Sequence, residues 1–350
     1  MSEQPEDTAV DDDSIIELLR TPGLSIKYLD EETKEWIRGF IRRNHIEKGM
    51  SLSDMAKLIG NKTSGYTSWL ARQVGIRPRD FEEARLAGIH KKVRKYERRP
   101  FNGTNQDKAY LLGLKHGDFS ACTPFGDVTR VSTSTTHPAL INLFTDLFSP
   151  YGHVYKNPRY KKDTKTYEWN LQAILDKSFA FLIDARDVCR KWVMDEESTM
   201  LAYLAGLVDA EGNIRVYPNH GKTTLLWVAI HNTDLDLIEF AYQCLAKLGC
   251  KPLKPYLDKE PGYVSKGFHI VMRKAYWRVL VSRFDEAQSL LQRLPLRHEE
   301  KVQTKQLMLS VTKGELWGKV EDAAASLRKS FDEQVSQCTS QAETDFLAHH

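Results

Sequence analysis

The first third of the chain has the apolar spacing of short helices. Trp36, Ile37, Phe40 and Ile41 recur at a helical period. Gly60 marks a turn between two further helical stretches, the first of which Ser51 or Ser53 would cap. The helices predicted on this basis span residues 32–47, 51–59 and 65–74.

Beyond residue 105, strand patterns alternate with helical ones. Tyr167, Trp169 and Leu171 alternate with polar neighbours, which predicts a strand with one packed face. Residues 225–230 are β-favouring, and residues 237–248 have helical periodicity up to a glycine. The same order of strand, helix and hairpin recurs along the chain, so a mixed α+β fold with an internal repeat is expected.

One short motif occurs twice, at 109–118 and at 202–211, with five of its first six residues identical. In each copy two small residues lie four apart and therefore share a helix face. Two such helices can pack backbone against backbone. The predicted helix-packing residues are Gly113, Gly117, Gly206 and Ala210.

Each copy of the motif ends in a carboxylate, Asp118 in the first and Glu211 in the second. The helix dipole opposes a negative charge at a helix C-terminus. Two such carboxylates side by side would also repel each other unless a cation lay between them. The pair therefore predicts a divalent metal site suited to phosphodiester chemistry.

The second copy, residues 204–212, resembles the signature of the LAGLIDADG homing endonucleases. The first copy resembles it less well, because Lys115, His116 and Phe119 depart from the signature. The resemblance covers residues 105–311 and implies two αββαββα halves related by a pseudo-two-fold axis. The domains predicted are an acidic disordered tail at 1–20, an all-α helix-turn-helix-like domain at 25–89, a basic linker at 90–104, halves at 105–200 and 201–311, and a C-terminal amphipathic helix and tail at 312–350.

The resemblance also implies an activity, site-specific cleavage of both strands of duplex DNA. Mg²⁺, with Mn²⁺ as a substitute, would bind Asp118 and Glu211 and activate a water for in-line attack on phosphorus. A lysine before the last helix of a half would order the water network, and Lys301 is the candidate. His231, at a strand end, is the candidate for a second polar group, with Ser134 as its counterpart in the first half.

Residues that would contact DNA bases lie on polar strand faces. The resemblance places such a face towards DNA in each half. The candidates are Asn213, Arg215 and Tyr217 in the second half, and Glu168, Asn170 and Gln172 in the first.

The N-terminal domain is a second candidate for DNA binding. Ala56 and Gly60 have helix-turn-helix spacing, although a structural helical hairpin shares it. Trp69 and Leu70 are expected to pack, and the exposed contacts would be Ser64, Thr67, Ser68 and Arg72. The linker would bind phosphates, or form a solvated basic face, through Lys91, Lys92, Arg94, Lys95, Arg98 and Arg99.

The net charge is +3, but the charged residues are unevenly distributed along the chain. Residues 1–17 hold seven acids and no base, whereas residues 62–100 hold eleven Lys and Arg against four acids. This pattern favours a nucleic-acid partner. Five cysteines without a Cys-x-x-Cys pair, and no long apolar run, indicate a reducing compartment, cytoplasmic, organellar or nucleoid-associated, and a protein that is neither secreted nor membrane-bound. The protein is expected to be a monomer.

Other functions remain open at this stage. The alternatives are a LAGLIDADG-derived DNA-binding regulator without catalysis and an intron-splicing maturase that binds structured RNA. An intein is disfavoured because the chain has no splicing junction. Near the C-terminus, an amphipathic helix is expected between Glu315 and Ser336, with an apolar stripe at Leu316, Val320, Leu327, Phe331 and Val335.

Overall fold

The computed structural model describes residues 10–60, 63–79, 83, 96–125, 128–162, 164–184, 186–264 and 271–349. The chain divides into two compact units, Met1–Lys95 and Tyr96–His350. This division falls inside the segment predicted as a linker.

In the smaller unit, the regular elements among the described residues are all helices, joined by turns and irregular segments. Three of its helices begin at a side chain that accepts a backbone N–H, namely Asp11, Asp30 and Ser51. Of the two caps predicted for the third helix, Ser51 is the one used, and its Oγ lies 3.0 Å from the Asp54 amide. The helices are α1 (Asp12–Leu19), α2 (Glu31–Ile41), α3 (Leu52–Leu58) and α4 (Ser64–Gln73).

The prediction of a disordered tail over residues 1–20 is wrong for α1. Ile15, Ile16 and Leu19 are buried in the core of the unit. The Asp12 carboxylate accepts hydrogen bonds from the side chains of Arg43, at 2.6 Å, and Asn44, at 3.0 Å. Apolar burial and these two contacts hold a segment whose acidity alone suggested disorder.

The helix predicted over residues 32–47 is also not continuous. It ends as an α-helix at Ile41 and continues as a π-helical turn over Arg42–Glu47. Inside this turn Asn44 is buried, and its Nδ2 donates to the Phe40 carbonyl as well as to Asp12. The wider turn therefore places a buried amide where it can bind α1.

The larger unit contains two successive groups of helices and strands. The first group is α5 (Asn105–His116), β1 (Ser120–Phe125), β2 (Val128–Thr135), α6 (Pro138–Phe148), β3 (Val154–Lys161), β4 (Thr166–Asp176) and α7 (Arg186–Val193). The second is α8 (Glu197–Glu211), β5 (Gly212–Asn219), β6 (Thr223–Asn232), α9 (Leu235–Lys247), β7 (Leu253–Lys259), β8 (Tyr276–Val281) and α10 (Phe284–Arg293).

Each group builds one four-stranded antiparallel sheet. The strand orders are β1-β2-β4-β3 and β5-β6-β8-β7, which are the same order in the two halves. One face of each sheet packs on the shared core, and we call the other its open face. Leu171 and Ala173 of β4 lie on the core face, as the alternation of apolar residues predicts. The predicted α+β fold with two αββαββα halves is confirmed.

Two further helices, α11 (Glu299–Ser310) and α12 (Glu321–His349), follow the second half. Helix α12 begins later and extends further than predicted, and Leu316 lies outside it, exposed and bridged to Thr223. Val320, Ala324 and Ala342 are buried against the body. The Trp169 indole Nε1 of β4 donates to the Cys338 carbonyl at 3.2 Å, so α12 connects the second half to the first. No helix in the described ranges is long and apolar enough to span a membrane.

Candidate metal and nucleic-acid site

Helices α5 and α8 meet through glycines, with their backbones in direct contact. A Cβ on Gly206 would overlap the Tyr110 carbonyl oxygen and lie 3.0 Å from the Leu114 nitrogen. A Cβ on Gly113 would overlap the Tyr203 carbonyl oxygen and lie 2.7 Å from the Leu207 nitrogen. Only glycine lets the two backbones approach this closely. The close packing brings the C-terminal ends of both helices together.

Matching hydrogen bonds cross the two helices but differ in chemistry. Tyr110 Oη donates to Asp209 Oδ2 at 2.6 Å, and the equivalent Tyr203 Oη lies 2.9 Å from His116 Nδ1. Burial, with the nearby charges of Lys115 and Arg186, lowers the pKa of His116 to about 3, so this histidine is neutral.

Asp209 also anchors the start of α11. Its Oδ2 accepts the backbone N–H groups of Arg297, at 2.7 Å, and His298, at 3.2 Å. These are donors at the N-terminus of a helix, where a carboxylate is stabilising. Burial raises the pKa of Asp209, and these donors together with Tyr110 oppose the rise. Asp209 of the second half thus holds the start of α11 in place. Its equivalent in the first half, His116, contacts Tyr203 and holds no helix start.

Asp118 and Glu211 lie at the ends of the two motif helices. A Cβ at Gly117 would be 2.9 Å from Glu211 Cγ, which shows how closely Glu211 approaches the end of α5. Burial and the charge of Asp118 raise the pKa of Glu211 to about 7. The Asp118 residue is exposed to solvent. Desolvation by the surrounding protein nevertheless raises the pKa of its carboxyl group. The two acids are therefore close enough to repel each other.

Lys301 of α11 carries an ammonium group whose charge acts on both Asp118 and Glu211. Its Nζ donates to the carbonyl of Gly212, the residue that follows Glu211. Burial lowers the pKa of Lys301, and the charges of Asp209, Glu300, Asp118 and Glu211 oppose the change. Its position depends on the cap that Asp209 provides.

The polar partner of Glu211 is Asn232, which the sequence did not single out. Asn232 Nδ2 donates to Glu211 Oε1 at 3.0 Å. His231, the predicted residue, is next to it on β6 and faces the other way, with Arg278 Nε 3.4 Å from its Nδ1. Burial lowers the pKa of His231 to about 4. Strand alternation explains the difference, because a shift of one residue exchanges the two faces.

Two neighbours complete the surroundings of the acids. Tyr276 stacks on His231, and burial with the charges of Glu211, Asp258 and Asp118 raises its pKa to about 12. On the other side, His137 lies near Asp118, and its Nδ1 is 3.0 Å from Glu300 Oε1. Sequence patterns did not indicate Tyr276 or His137 as site residues. Tyr276 begins β8 and His137 precedes α6, so both are far from the motif copies in the sequence.

The donor set fits a hard divalent cation. Within the described ranges, no donor hydrogen bonds to the Asp118 carboxylate or to Glu211 Oε2, so carboxylate oxygens remain free. Mg²⁺ prefers such oxygens and usually keeps several water or phosphate ligands. No cluster of three or more His, Cys, Asp or Glu suited to a metal occurs in that part of the chain. A cation here would therefore complete its coordination with ligands from outside the protein.

The open face of the second sheet carries the base-contact candidates of β5. Arg215 is exposed, whereas Asn213 and Tyr217 are half-buried. The Tyr217 ring lies 4.7 Å from the Trp227 ring, and the Arg215 guanidinium lies 5.9 Å from the same ring. The structure thus places all three candidates on one polar and aromatic surface.

In the first half, Asn170 and Gln172 are half-buried on the open face of β4. Glu168 shares that face but is only 7% exposed, and its carboxylate lies 3.7 Å from Lys161 Nζ. The expectation that Glu168 is free to contact bases is therefore wrong. Its ion pair with the neighbouring strand keeps the carboxylate within the sheet. Ser134, the predicted counterpart of His231, is exposed on β2.

Helix α4 differs from the prediction at two positions. Thr67 is buried, and its Oγ1 donates to the carbonyls of Leu52 and Ser64, so it is not an exposed contact. Trp69 was expected to pack but is 43% exposed beside Tyr66. Leu70 is buried as expected. Of the remaining candidates, Ser64 and Arg72 are exposed and Ser68 is half-buried.

The basic linker lies largely outside the described residues, including Lys91, Lys92, Arg94 and Lys95. The side chains of Arg98 and Arg99 are described. The Arg99 backbone N–H donates to the Tyr151 carbonyl at 2.8 Å, which fixes the start of the larger unit on its own first half.

Comparison with known proteins identifies part of this architecture. Residues 198–295 match the LAGLIDADG-like domain family. No curated protein sequence matches the chain. Among solved structures, a mesophilic variant of the homing endonuclease I-DmoI is 16% identical with a TM-score of 0.37, and the match covers 57% of this chain and 96% of that one. I-SmaMI bound to uncleaved DNA with calcium ions is 9% identical with a TM-score of 0.33, over 67% of this chain and 97% of that one.

The matched range begins in α8 and ends just after α10, so it spans the whole second half. It includes the second motif copy with Asp209 and Glu211. Residues 198–295 are therefore similar to a LAGLIDADG-like domain, and they are preceded by a first half with the same order of helices and strands.

Proposed function

We propose that the protein is a site-specific DNA endonuclease that hydrolyses phosphodiester bonds in a long, asymmetric duplex target. The observation that carries this proposal is the convergence of Asp118 and Glu211 at the ends of two glycine-packed helices, beside the half-buried Lys301. Two repelling carboxylates held together by the core cost stability, and a bound cation would reverse that cost. Mg²⁺ is the proposed cofactor, with Mn²⁺ as a substitute, and it would activate water and stabilise the leaving oxygen.

The protein side chains would position the reactants. Asn232 holds one oxygen of Glu211 and leaves the other free for the cation. Lys301, with its ammonium fixed on the Gly212 carbonyl, places a positive charge where negative charge develops on a phosphate. Burial and the charge of Asp118 raise the pKa of Glu211, so a cation that binds there would displace the Glu211 proton.

DNA would be bound by several surfaces. The open faces of the two sheets would supply contacts to bases through Asn213, Arg215 and Tyr217 in the second half and Asn170 and Gln172 in the first. The helix-turn-helix-like domain would add Ser64, Ser68 and Arg72, and the basic linker would bind phosphates. Unlike halves suit an asymmetric target that is bound by one copy of the chain.

The similarity of residues 198–295 to a LAGLIDADG-like domain supports the proposed endonuclease activity. I-DmoI has been crystallised in complex with DNA and Ca and with DNA and Mn. The test is to capture a randomised duplex library on the immobilised protein in Ca²⁺, exchange Ca²⁺ for Mg²⁺, and sequence the released and retained DNA. Released fragments that end at one common site, with short 3′ overhangs, are the expected result.

Variants separate cleavage from binding. Glu211→Gln and Asp118→Asn should abolish release in Mg²⁺ and leave capture in Ca²⁺ nearly intact. Glu299→Gln, which removes a charge at an exposed position on α11, is the matched control and should cleave normally. Enriched DNA that stays intact with the wild-type protein would contradict catalysis and favour a DNA-binding regulator. Failure to capture any duplex would lead to structured intron RNA as the next ligand.

A further inference from the structure

An imidazole and a carboxylate meet close to the paired acids. His137 Nδ1 lies 3.0 Å from Glu300 Oε1. The His137 side chain is 48% exposed, whereas that of Glu300 is 13% exposed. His137 directly precedes α6 in the first half, and Glu300 lies in the first turn of α11, after the second half. We call these two residues the dyad, and the fold brings its members together from distant parts of the sequence.

Two hydrogen bonds hold His137 beside Asp118. Thr133 Oγ1 of β2 donates to the Asp118 carbonyl at 3.1 Å, so the end of β2 is attached to the chain just after α5. The His137 backbone N–H donates to Thr135 Oγ1 at 3.0 Å, which fixes this residue just beyond the same strand. Burial raises the pKa of the Asp118 carboxyl group, and the charges of Lys301 and His137 oppose the rise. The dyad therefore lies on the Asp118 side of the two acids.

The dyad leaves one ring nitrogen of His137 available. A histidine that donates its Nδ1 proton to a carboxylate presents the lone pair of Nε2, and the carboxylate fixes the tautomer and the orientation of the ring. Within the described ranges, His137 Nε2 forms no hydrogen bond. Burial raises the pKa of Glu300, but the hydrogen bond and charge of His137 bring it below its ordinary value. Glu300 is therefore a carboxylate that can orient the ring.

The equivalent position in the second half has different chemistry. His137 and Asp234 each directly precede the helix that follows the second strand of their half. Asp234 Oδ2 pairs with Arg186, and its Oδ1 accepts the Leu237 backbone N–H at 3.4 Å. Both carboxylate oxygens of Asp234 are therefore in use, and a guanidinium has no lone pair to accept a proton. An imidazole occupies this position only in the first half.

We propose that His137 is the general base for cleavage of one DNA strand, the strand whose scissile phosphate lies beside Asp118, and that Glu300 positions its ring. This inference rests on the proposed function. His137 Nε2 takes a proton from the attacking water as the water oxygen bonds to phosphorus and the bond from phosphorus to the 3′ oxygen breaks. The 3′ oxygen takes a proton from solvent, and His137 later releases its own proton to solvent. The other strand is cut without an imidazole.

The test measures the two strands separately. Cleavage of each labelled strand in Mg²⁺ is followed at single turnover in a duplex already nicked in the opposite strand, so that one cut does not depend on the other. His137→Gln should slow one strand by about 100-fold or more and change the other by less than about threefold. His220→Gln, which removes an exposed histidine in the turn after β5, is the matched control and should cut both strands normally.

Chemical rescue separates a base from a structural role. His137→Ala removes the ring, and added imidazole should restore cleavage of the affected strand by about 10-fold or more. Pyrazole fills the same space but is a much weaker base, so it should not restore cleavage. Rescue by pyrazole that equals rescue by imidazole would overturn the inference, because filling the space would then be sufficient.

A measurement without metal or DNA tests the role of Glu300. NMR of the histidine rings in the free protein should show the His137 proton on Nδ1, and the signal is assigned by its loss in His137→Gln. Glu300→Gln should remove this preference and slow the same strand by about 10-fold. Glu299→Gln, at the neighbouring exposed position, should change neither. A His137 ring protonated on both nitrogens at the pH of cleavage would overturn the inference, since it has no lone pair.

The outcomes distinguish this inference from the proposed function. Normal cleavage of both strands by His137→Gln, or equal slowing of both, would overturn the inference and leave the proposed function standing. Wild-type protein that binds duplex DNA in Ca²⁺ and cuts neither strand in Mg²⁺ would refute the proposed function and this inference with it. Binding in Ca²⁺ and thermal denaturation establish that each variant remains folded.

Discussion

The phenol of Tyr110, in the first motif helix, donates a 2.6 Å hydrogen bond to the carboxylate of Asp209, in the second. The same carboxylate oxygen accepts the two amides that begin α11. One buried side chain therefore joins three helices, and one of them carries Lys301. In the first half His116 occupies the position equivalent to Asp209, and its Nδ1 contacts the Tyr203 hydroxyl.

Removing the Asp209 carboxylate should destabilise the larger unit more than removing its counterpart. Asp209→Ala leaves the Tyr110 hydroxyl and two helix-start amides without their acceptor, at a cost of about 3 kcal/mol or more. His116→Ala loses one hydrogen bond of a neutral side chain and should cost about 1 kcal/mol plus the cavity. Thermal denaturation followed by circular dichroism measures both, and equal losses would contradict the unequal roles of the two residues.

The glycines of the helix contact should not tolerate even one methyl group. Gly206→Ala places a Cβ on the Tyr110 carbonyl and should cost about 3 kcal/mol, because backbone atoms have to move. Gly318→Ala is the control, since its Cβ would meet nothing within 4 Å. Chemical denaturation of both variants provides the comparison. A Gly206→Ala protein as stable as Gly318→Ala would mean that the two helices can separate freely.

The burial of Glu211 and the charge of Asp118 predict that stability depends on pH when no metal is bound. The folded pKa of Glu211, about 7, lies above the ordinary value of 4.5, so the folded state holds this proton more tightly. Its contribution to stability is therefore present below pH 4.5 and is lost as the pH rises towards 7. Glu211→Gln lacks this loss and should be more stable than wild type by about 2 kcal/mol at pH 8 in EDTA.

The comparison at pH 5 is the control for that prediction, because both proteins are then largely neutral at position 211. A difference between the variants that is the same at pH 5 and pH 8 would show that Asp118 and Glu211 do not interact. Adding Ca²⁺ at pH 8 should stabilise wild type more than Glu211→Gln, because the cation binds the folded state.

Lys301 should affect cleavage rather than binding. Lys301→Met keeps the length of the half-buried side chain and removes its charge, so cleavage in Mg²⁺ should fall by about 100-fold or more. Binding in Ca²⁺ should stay within about threefold of wild type. Lys305→Met, one turn further on α11, is matched because Lys305 also donates to a backbone carbonyl, that of Leu294 at 2.8 Å. Similar cleavage by the two variants would remove Lys301 from the site.

The sequence predicted the features that depend on short-range patterns. The repeated motif placed Gly113 and Gly206 at a helix contact and brought Asp118 and Glu211 together, and alternation placed Leu171 in the core. The missed residues depend on long-range contacts. Asn232 reaches Glu211 only through the register of β6, and His231 was chosen because periodicity does not determine which of two neighbours ends on which face.

The same limit explains the errors outside the site. Residues 12–19 were predicted to be disordered because the segment is acidic. Its three apolar residues stabilise a helix only by packing into a core that other helices form. Thr67 looked exposed because its hydroxyl was counted as polar, yet it satisfies two carbonyls inside the unit. Trp69 looked buried because it is large and apolar, and its helix turns it outward.

Helix α12 has a consequence for how the chain is made. The indole of Trp169 and the ring of Tyr167, in the first half, are covered by Cys338 and Phe346, which are synthesised about 170 residues later. During translation the first half therefore emerges with an uncovered apolar surface on the core face of its sheet. That surface stays open until the last helix leaves the ribosome, so the first half depends on a late segment to finish folding.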